Sequence, residues 1–311
     1  MTTLPRSQRT RTVAGTRAWS GATFTETATL NGHTFTSAQD TTLHKLTVTT
    51  ALARVSTVNL DLAGRPTKVT TGAFIDPVEL GYDGSGRLTH LAQRGRAWRY
   101  GYDTGGRLAS VTDTLGGVAS YQYDLADRVT QLTLPGSRVV HYRYDANGNL
   151  LGLTPPGGHE HAFAWTAADL NQTYTPPPVA GIASPATQYG YNRDRQLTDV
   201  TRPDGAHVQL SYSATTGQLS TLTQPRGQTA LTWPGTTGQL GAASSPDGVT
   251  STYAYDGPLL TRETWSGAAS GAVSRSVNND FAEATQTVTV GTDSTSVVTY
   301  GYDNVVVTKL E

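Results

Sequence analysis

Short runs of alternating apolar and polar residues fill most of the chain, and no stretch keeps a helical period over three turns. The alternation places pairs of aromatics on one face of a strand: Tyr100 and Tyr102, with Trp98 before them, then Tyr121 and Tyr123, Tyr142 and Tyr144, Phe163 and Trp165, Tyr189 and Tyr191, Tyr253 and Tyr255, Tyr300 and Tyr302. Period two with aromatic and β-branched residues predicts strands. Each aromatic strand is followed by a turn, as in YDGSGRL, where Asp83 can bond backbone N–H groups two residues on and Gly86 can take the left-handed backbone. A second short strand then follows (LTHL, LASV, VTQL, LLGL, LTDV or LSTL). It ends in a second turn, often Pro-x-Gly as in Pro203-Asp204-Gly205.

Aligned on the second aromatic, the units fall at Tyr82, Tyr102, Tyr123, Tyr144, Trp165, Tyr191, Tyr212, Trp233, Tyr255, Phe281 and Tyr302. Most spacings are 20 to 22 residues, and two are 26. Leu60, in NLDLAGRPTKV, carries the register one unit upstream. Such regularity identifies a repeat protein. The fold class expected is all-β: tandem antiparallel hairpins in a curved or spiralling sheet, because native sheets twist and a flat ribbon cannot cover its own apolar face. The organisation expected is irregular N-terminal β repeats over 1–59, the array over 60–303 with insertions near 171–187 and 264–272, and a truncated end over 304–311. Both ends fall within the pattern, so a fragment of a longer protein is expected.

Composition narrows the partners. The 311 residues include 33 glycines and 15 prolines, charged residues are 15%, and the net charge is -1. Lysine occurs only at 45, 68 and 309, and the arginines are scattered, which argues against nucleic acid. No run approaches 18 apolar residues, so no membrane-inserting helix is predicted, and there is no cysteine for a disulfide or thiolate site. The N-terminus lacks the apolar core of a secretory signal.

Candidate chemistry is sparse. His159-Glu160-His161 puts two imidazoles on one strand face, but a zinc site needs further ligands, and a solvated turn edge is the better reading. Asp83, Asp103, Asp124, Asp145 and Asp256 recur once per unit, which suits turn capping rather than a unique acid–base pair. DGSGR at Asp83 to Arg87 precedes no helical pattern, so it reads as a turn and not a phosphate loop. The aromatic ladder reads as the packing spine of the repeat; stacking on sugars is the alternative. Arg87, Arg107 and Arg128 are expected to pair with nearby Asp or stack on Tyr. No catalytic, cofactor or metal residue is nominated.

GYDGSGRL, GYDTGGRL, YQYDLADRV, YRYDANGNL and YNRDRQL resemble the YD-repeats of RHS proteins, relatives of the teneurins and of the shell-forming components of insecticidal toxin complexes. The resemblance covers about Leu60 to Asp303. It assigns the structural motif to Tyr82, Asp83, Gly86 and Arg87; Tyr102, Asp103, Gly106 and Arg107; Tyr123, Asp124 and Arg128; Tyr144, Asp145 and Gly148; Tyr255 and Asp256; and Tyr302 and Asp303. Asn192, Ser213 and Pro234 stand where Asp is expected, and Trp165, Trp233 and Phe281 replace Tyr. What the resemblance implies is a non-enzymatic wall segment, without cofactor, of an exported or cell-surface polymorphic toxin that encloses a C-terminal toxin or effector cargo. Its implied partners are the rest of the parent protein and that cargo. No run resembles the family's DP-x-G self-cleavage region. The rival reading is a cell-surface adhesion or carbohydrate-binding module with exposed aromatics. Cut arrays expose strand edges, so self-association is expected.

Overall fold

The computed structural model describes residues 13–30, 32–72, 75–178, 186–291, 295–303 and 306–310. Among these, regular structure is entirely β-strand. Two compact units divide the chain, one built from 1–96 together with 249–311, the other from 97–248. In each, consecutive strands pair antiparallel, as expected for tandem hairpins.

The unit around Tyr123 shows how the register arises. Strand Val118–Tyr123 pairs with Val129–Leu134, and Gln122 faces Gln131, yet Tyr123 faces Val129. One extra residue on the second strand forms a bulge, which leaves the five-residue turn Asp124–Arg128 to join the strands. The same shift recurs at Leu60/Pro66, Tyr82/Leu88, Tyr102/Leu108, Tyr144/Leu150, Trp165/Asn171, Tyr191/Leu197 and Tyr212/Leu219.

Because alternate residues share a face, this register sorts the side chains. In residues 97–248 one face carries Tyr121 opposite Leu132, Leu132 opposite Val140, Tyr142 opposite Leu153, Phe163 opposite Tyr174, Tyr189 opposite Val200, and Leu210 opposite Leu222. The other carries Gln122, Gln131, His141 and Thr154 in one row, and Ser211, Thr221, Ala230 and Ser244 in another. An apolar face and a small, polar face is the pattern of a sheet built to be covered on one side. That cover is missing: among the described residues no hydrophobic side chain is fully buried.

Two expectations are corrected. Phe281 is not the aromatic of its unit. Ser276 faces Thr285 while Val277 faces Glu283, so Val277 holds the position of Tyr82. Phe281 falls four residues later, in the place of Gly86, at φ +62°. Counted to Val277, the step from Tyr255 is 22 residues and the long step, 25 residues, falls between Val277 and Tyr302. For the same reason 264–272 is not an inserted loop: strands Leu259–Gly267 and Gly271–Val277 pair through it, with Trp265 opposite Gly271. In the other expected insertion, strands Asn171–Thr175 and Thr187–Tyr191 are regular, and 179–185 lie outside the described residues. Of the expected truncated end, 304, 305 and 311 also lie outside them.

Candidate functional site

The repeated turn is a carboxylate clamp. Asp124 Oδ1 accepts hydrogen bonds from the backbone N–H groups of Ala126 (2.8 Å) and Arg128 (3.0 Å), and Oδ2 accepts from Arg128 Nε (2.7 Å). Asp83 makes the equivalent bonds with Ser85 and Arg87, and Asp103 binds the backbone and Nε of Arg107. Asp61 with Arg65, absent from the expected motif, does the same. The backbone N–H of the turn's arginine, then its guanidinium, hold all four carboxyls below the ordinary carboxylate range, against the opposing cost of desolvation. The signal for Asp61 was present as DLAGR; Leu60 in the tyrosine position concealed it.

The fourth residue of each turn closes it in the left-handed region. Gly86 and Gly106 sit at φ +84° and Gly148 at +96°. Asp127 takes this conformation at +60° without glycine's freedom, and its carboxylate receives Arg107 Nη1 of the preceding turn at 2.8 Å.

The aromatics connect one unit to the next. Tyr123 Oη donates to Leu108 O, Tyr144 to Val129 O, Tyr191 to Asn171 O and Tyr212 to Leu197 O; each acceptor lies opposite the aromatic of the previous unit. Tyr82 reaches Pro66 O in the same way. Trp165 and Trp233 fill the position because indole Nε1–H can donate as the phenol does, to Leu150 O at 2.8 Å and Leu219 O at 2.7 Å. A phenylalanine has no such donor, but neither have Leu60 and Val277, which hold this position in their units. Guanidinium groups stack on the next unit's ring: Arg65 over Tyr82 and Arg107 over Tyr123 at 4.7 Å, Arg128 over Tyr144 at 4.9 Å. Burial raises the phenol pKa of Tyr123, Tyr144, Tyr191 and Tyr302.

Further along, the clamp loses its charge. Asp145 pairs with Asn149, whose Nδ2 also reaches Asp169. Although burial opposes it, hydrogen bonds from Asn149 leave the Asp145 carboxyl below its ordinary range. Asn192 Oδ1 accepts the N–H groups of Asp194 and Gln196, and Thr166 Oγ1 those of Ala168 and Leu170. Ser213 heads a turn one residue longer, closed by Ser213 N–H to Gln218 O, and after Pro234 the closure runs from Gly241 N–H to Thr232 O. Asp256 ends its strand instead of opening a clamp, since only Gly257 and Pro258 separate it from its partner Leu259. Asp303 pairs with Val306 across residues outside the described set.

Among the described residues, the carboxylates of Asp61, Asp83, Asp103 and Asp124 are committed to holding their own turns. At the histidine pair, His161 Nδ1 lies 2.7 Å from Tyr174 Oη, and Glu160 is bound by Arg143 Nη2 at 2.6 Å. Among the described residues no three His, Asp or Glu converge as for a metal.

This geometry matches a known architecture. The teneurin YD-shell family profile matches residues 5–309. The chain belongs to the teneurin YD-shell family. Solved structures repeat the YD-shell fold at low identity. The Photorhabdus luminescens Tc holotoxin pore superposes with a TM-score of 0.66 at 12% identity over 93% of this chain, and the TcdB2–TccC3 complex with 0.61 at 13% over 89%. The YD-shell chain spans 18% and 20% of those chains, about a fifth of their length. No curated protein matches it by sequence.

Proposed function

We propose that this YD-shell chain is a structural, non-enzymatic length of wall in a larger RHS-type protein that encloses a C-terminal toxin or effector. The observation that carries the reading is the uncovered apolar face beside a fully committed set of turn side chains. Rows such as Tyr121–Leu132–Val140 need cover that the described residues do not supply, while the clamp carboxylates are spent on holding turns. A wall facing an enclosed protein supplies that cover and also excludes protease. Guanidinium groups cover one face of the Tyr123 and Tyr144 rings, a surface on which a sugar would stack, so the adhesive reading has less support there. Strand edges and the half-buried apolar face favour self-association of this length of chain alone.

The test is to purify the full product of the parent gene and challenge it with protease. A C-terminal piece that co-purifies with the wall and survives until the wall is denatured supports enclosure. A C-terminal piece digested as fast in the intact protein as in the denatured one refutes it.

A further inference from the structure

The last turn of the ladder lacks its arginine. In Asn278–Ala282, Asn278 Oδ1 accepts the N–H groups of Asp280 and Ala282 as Asp124 does for Ala126 and Arg128, which puts Ala282 in the arginine's place. Tyr302 nevertheless behaves as a ladder aromatic, with Oη donating to Glu283 O, opposite Val277. A guanidinium lies over its ring at 5.4 Å, and it belongs to Arg54.

Arg54 closes a turn of the same design. Thr50 N–H donates to Arg54 O, Ala53 N–H to Thr50 O, and Arg54 N–H to Thr50 Oγ1, with Ala53 at φ +59°. This turn is bound by a carboxylate some 230 residues away. Asp280 Oδ2 accepts from Thr50 Oγ1 at 2.8 Å and lies 3.3 Å from Arg54 Nη1, while Oδ1 accepts from Leu52 N–H at 3.0 Å. The Asp280 side chain is only 7% exposed and that of Arg54 18%, the best-shielded ion pair among the described residues of the unit. Other turns place uncharged Ser85 or Ala126 at this position, or an Asp194 that is exposed, and a shielded carboxylate persists only where it is paired. Phe281, held at positive φ, stacks on Phe35 at 6.1 Å and meets His33 edge-on at 5.7 Å.

We infer that the Thr50–Arg54 turn is an intramolecular latch: it supplies in trans the arginine missing at Ala282, so that the N-terminal strands and the last repeats protect each other and open together. Asp280 is the receptor for the latch, and Phe281 is the apolar contact beside it.

Hydrogen exchange on the full 311-residue chain tests this. Arg54→Ala is expected to speed exchange roughly tenfold in both 45–60 and 283–302, with 120–150 unchanged. Asp280→Asn, which keeps the turn's backbone bonds and removes the charge, is expected to open the same two segments and serves if Arg54→Ala does not fold. Ala282→Arg in the Arg54→Ala background returns the arginine in cis, and is expected to restore protection in 283–302 but not in 45–60. A response confined to the segment carrying the substitution, or no response to Asp280→Asn, overturns the latch.

Discussion

The turns Asp124–Arg128 and Asn192–Gln196 follow the same backbone with different chemistry. Both close with the first residue's N–H bonded to the fifth residue's carbonyl, both put the fourth residue in the left-handed region, and both use a side-chain oxygen to gather the third and fifth N–H groups. The bridge onward also survives. Arg128 Nη1 reaches Asp145 O at 2.8 Å, and Gln196 Nε2 reaches Gly217 O at 2.8 Å. These two turns share an acceptor at the first position and a long donor at the last. Leu170 and Ala282 end turns of the same backbone without a long donor, so the acceptor is the constant part and charge is an addition. What charge adds is the guanidinium over the next ring and a dependence on pH.

The largest break in this comparison is at the ring itself. Tyr144→Ala removes a half-buried ring, its bond to Val129 O and the platform under Arg128, and is expected to destabilise by about 2–3 kcal/mol in urea unfolding. Acid comes next and separates the two kinds of turn. The Asp103 and Asp124 carboxyls lie below 3.8 in the folded protein, so their stabilising contribution is complete above the unfolded value and is lost as pH falls through the folded one. Moving from about pH 6 to about pH 3 should raise hydrogen exchange in 103–134, after correction for intrinsic rates, and leave 166–175 unchanged. Equal loss in both segments would show that the clamp charges contribute nothing.

A smaller effect isolates the donor. Trp165→Phe keeps a ring but removes the Nε1–H bond to Leu150 O, and should cost about 1 kcal/mol in the same urea assay. The smallest is Asp127→Gly. Relief of the φ +60° backbone opposes loss of the exposed Arg107 contact, so the unfolding midpoint should move by no more than about 0.5 kcal/mol in free energy.

The hairpins and clamps were legible because their causes are local. Asp83 and Arg87 are four residues apart, and the bulge that places Tyr82 opposite Leu88 follows from turn length. Where the local signal weakened, register was lost. With Val277 in place of an aromatic, the next ring along, Phe281, draws the register four residues too far.

The amino-acid sequence by itself determined the strands, their pairing with the next in line, the two chemically distinct faces and the clamp at each turn, because period-two patterning and short-range hydrogen bonds act between residues close in the chain. Only the tertiary structure decided that Arg54 rather than Ala282 serves Tyr302, and that Asp280 is shielded against Thr50 and Leu52. Those contacts span about 230 residues, and nothing in the composition of either segment names the other. They exist because folding brings two incomplete turns together, and each supplies the group the other lacks.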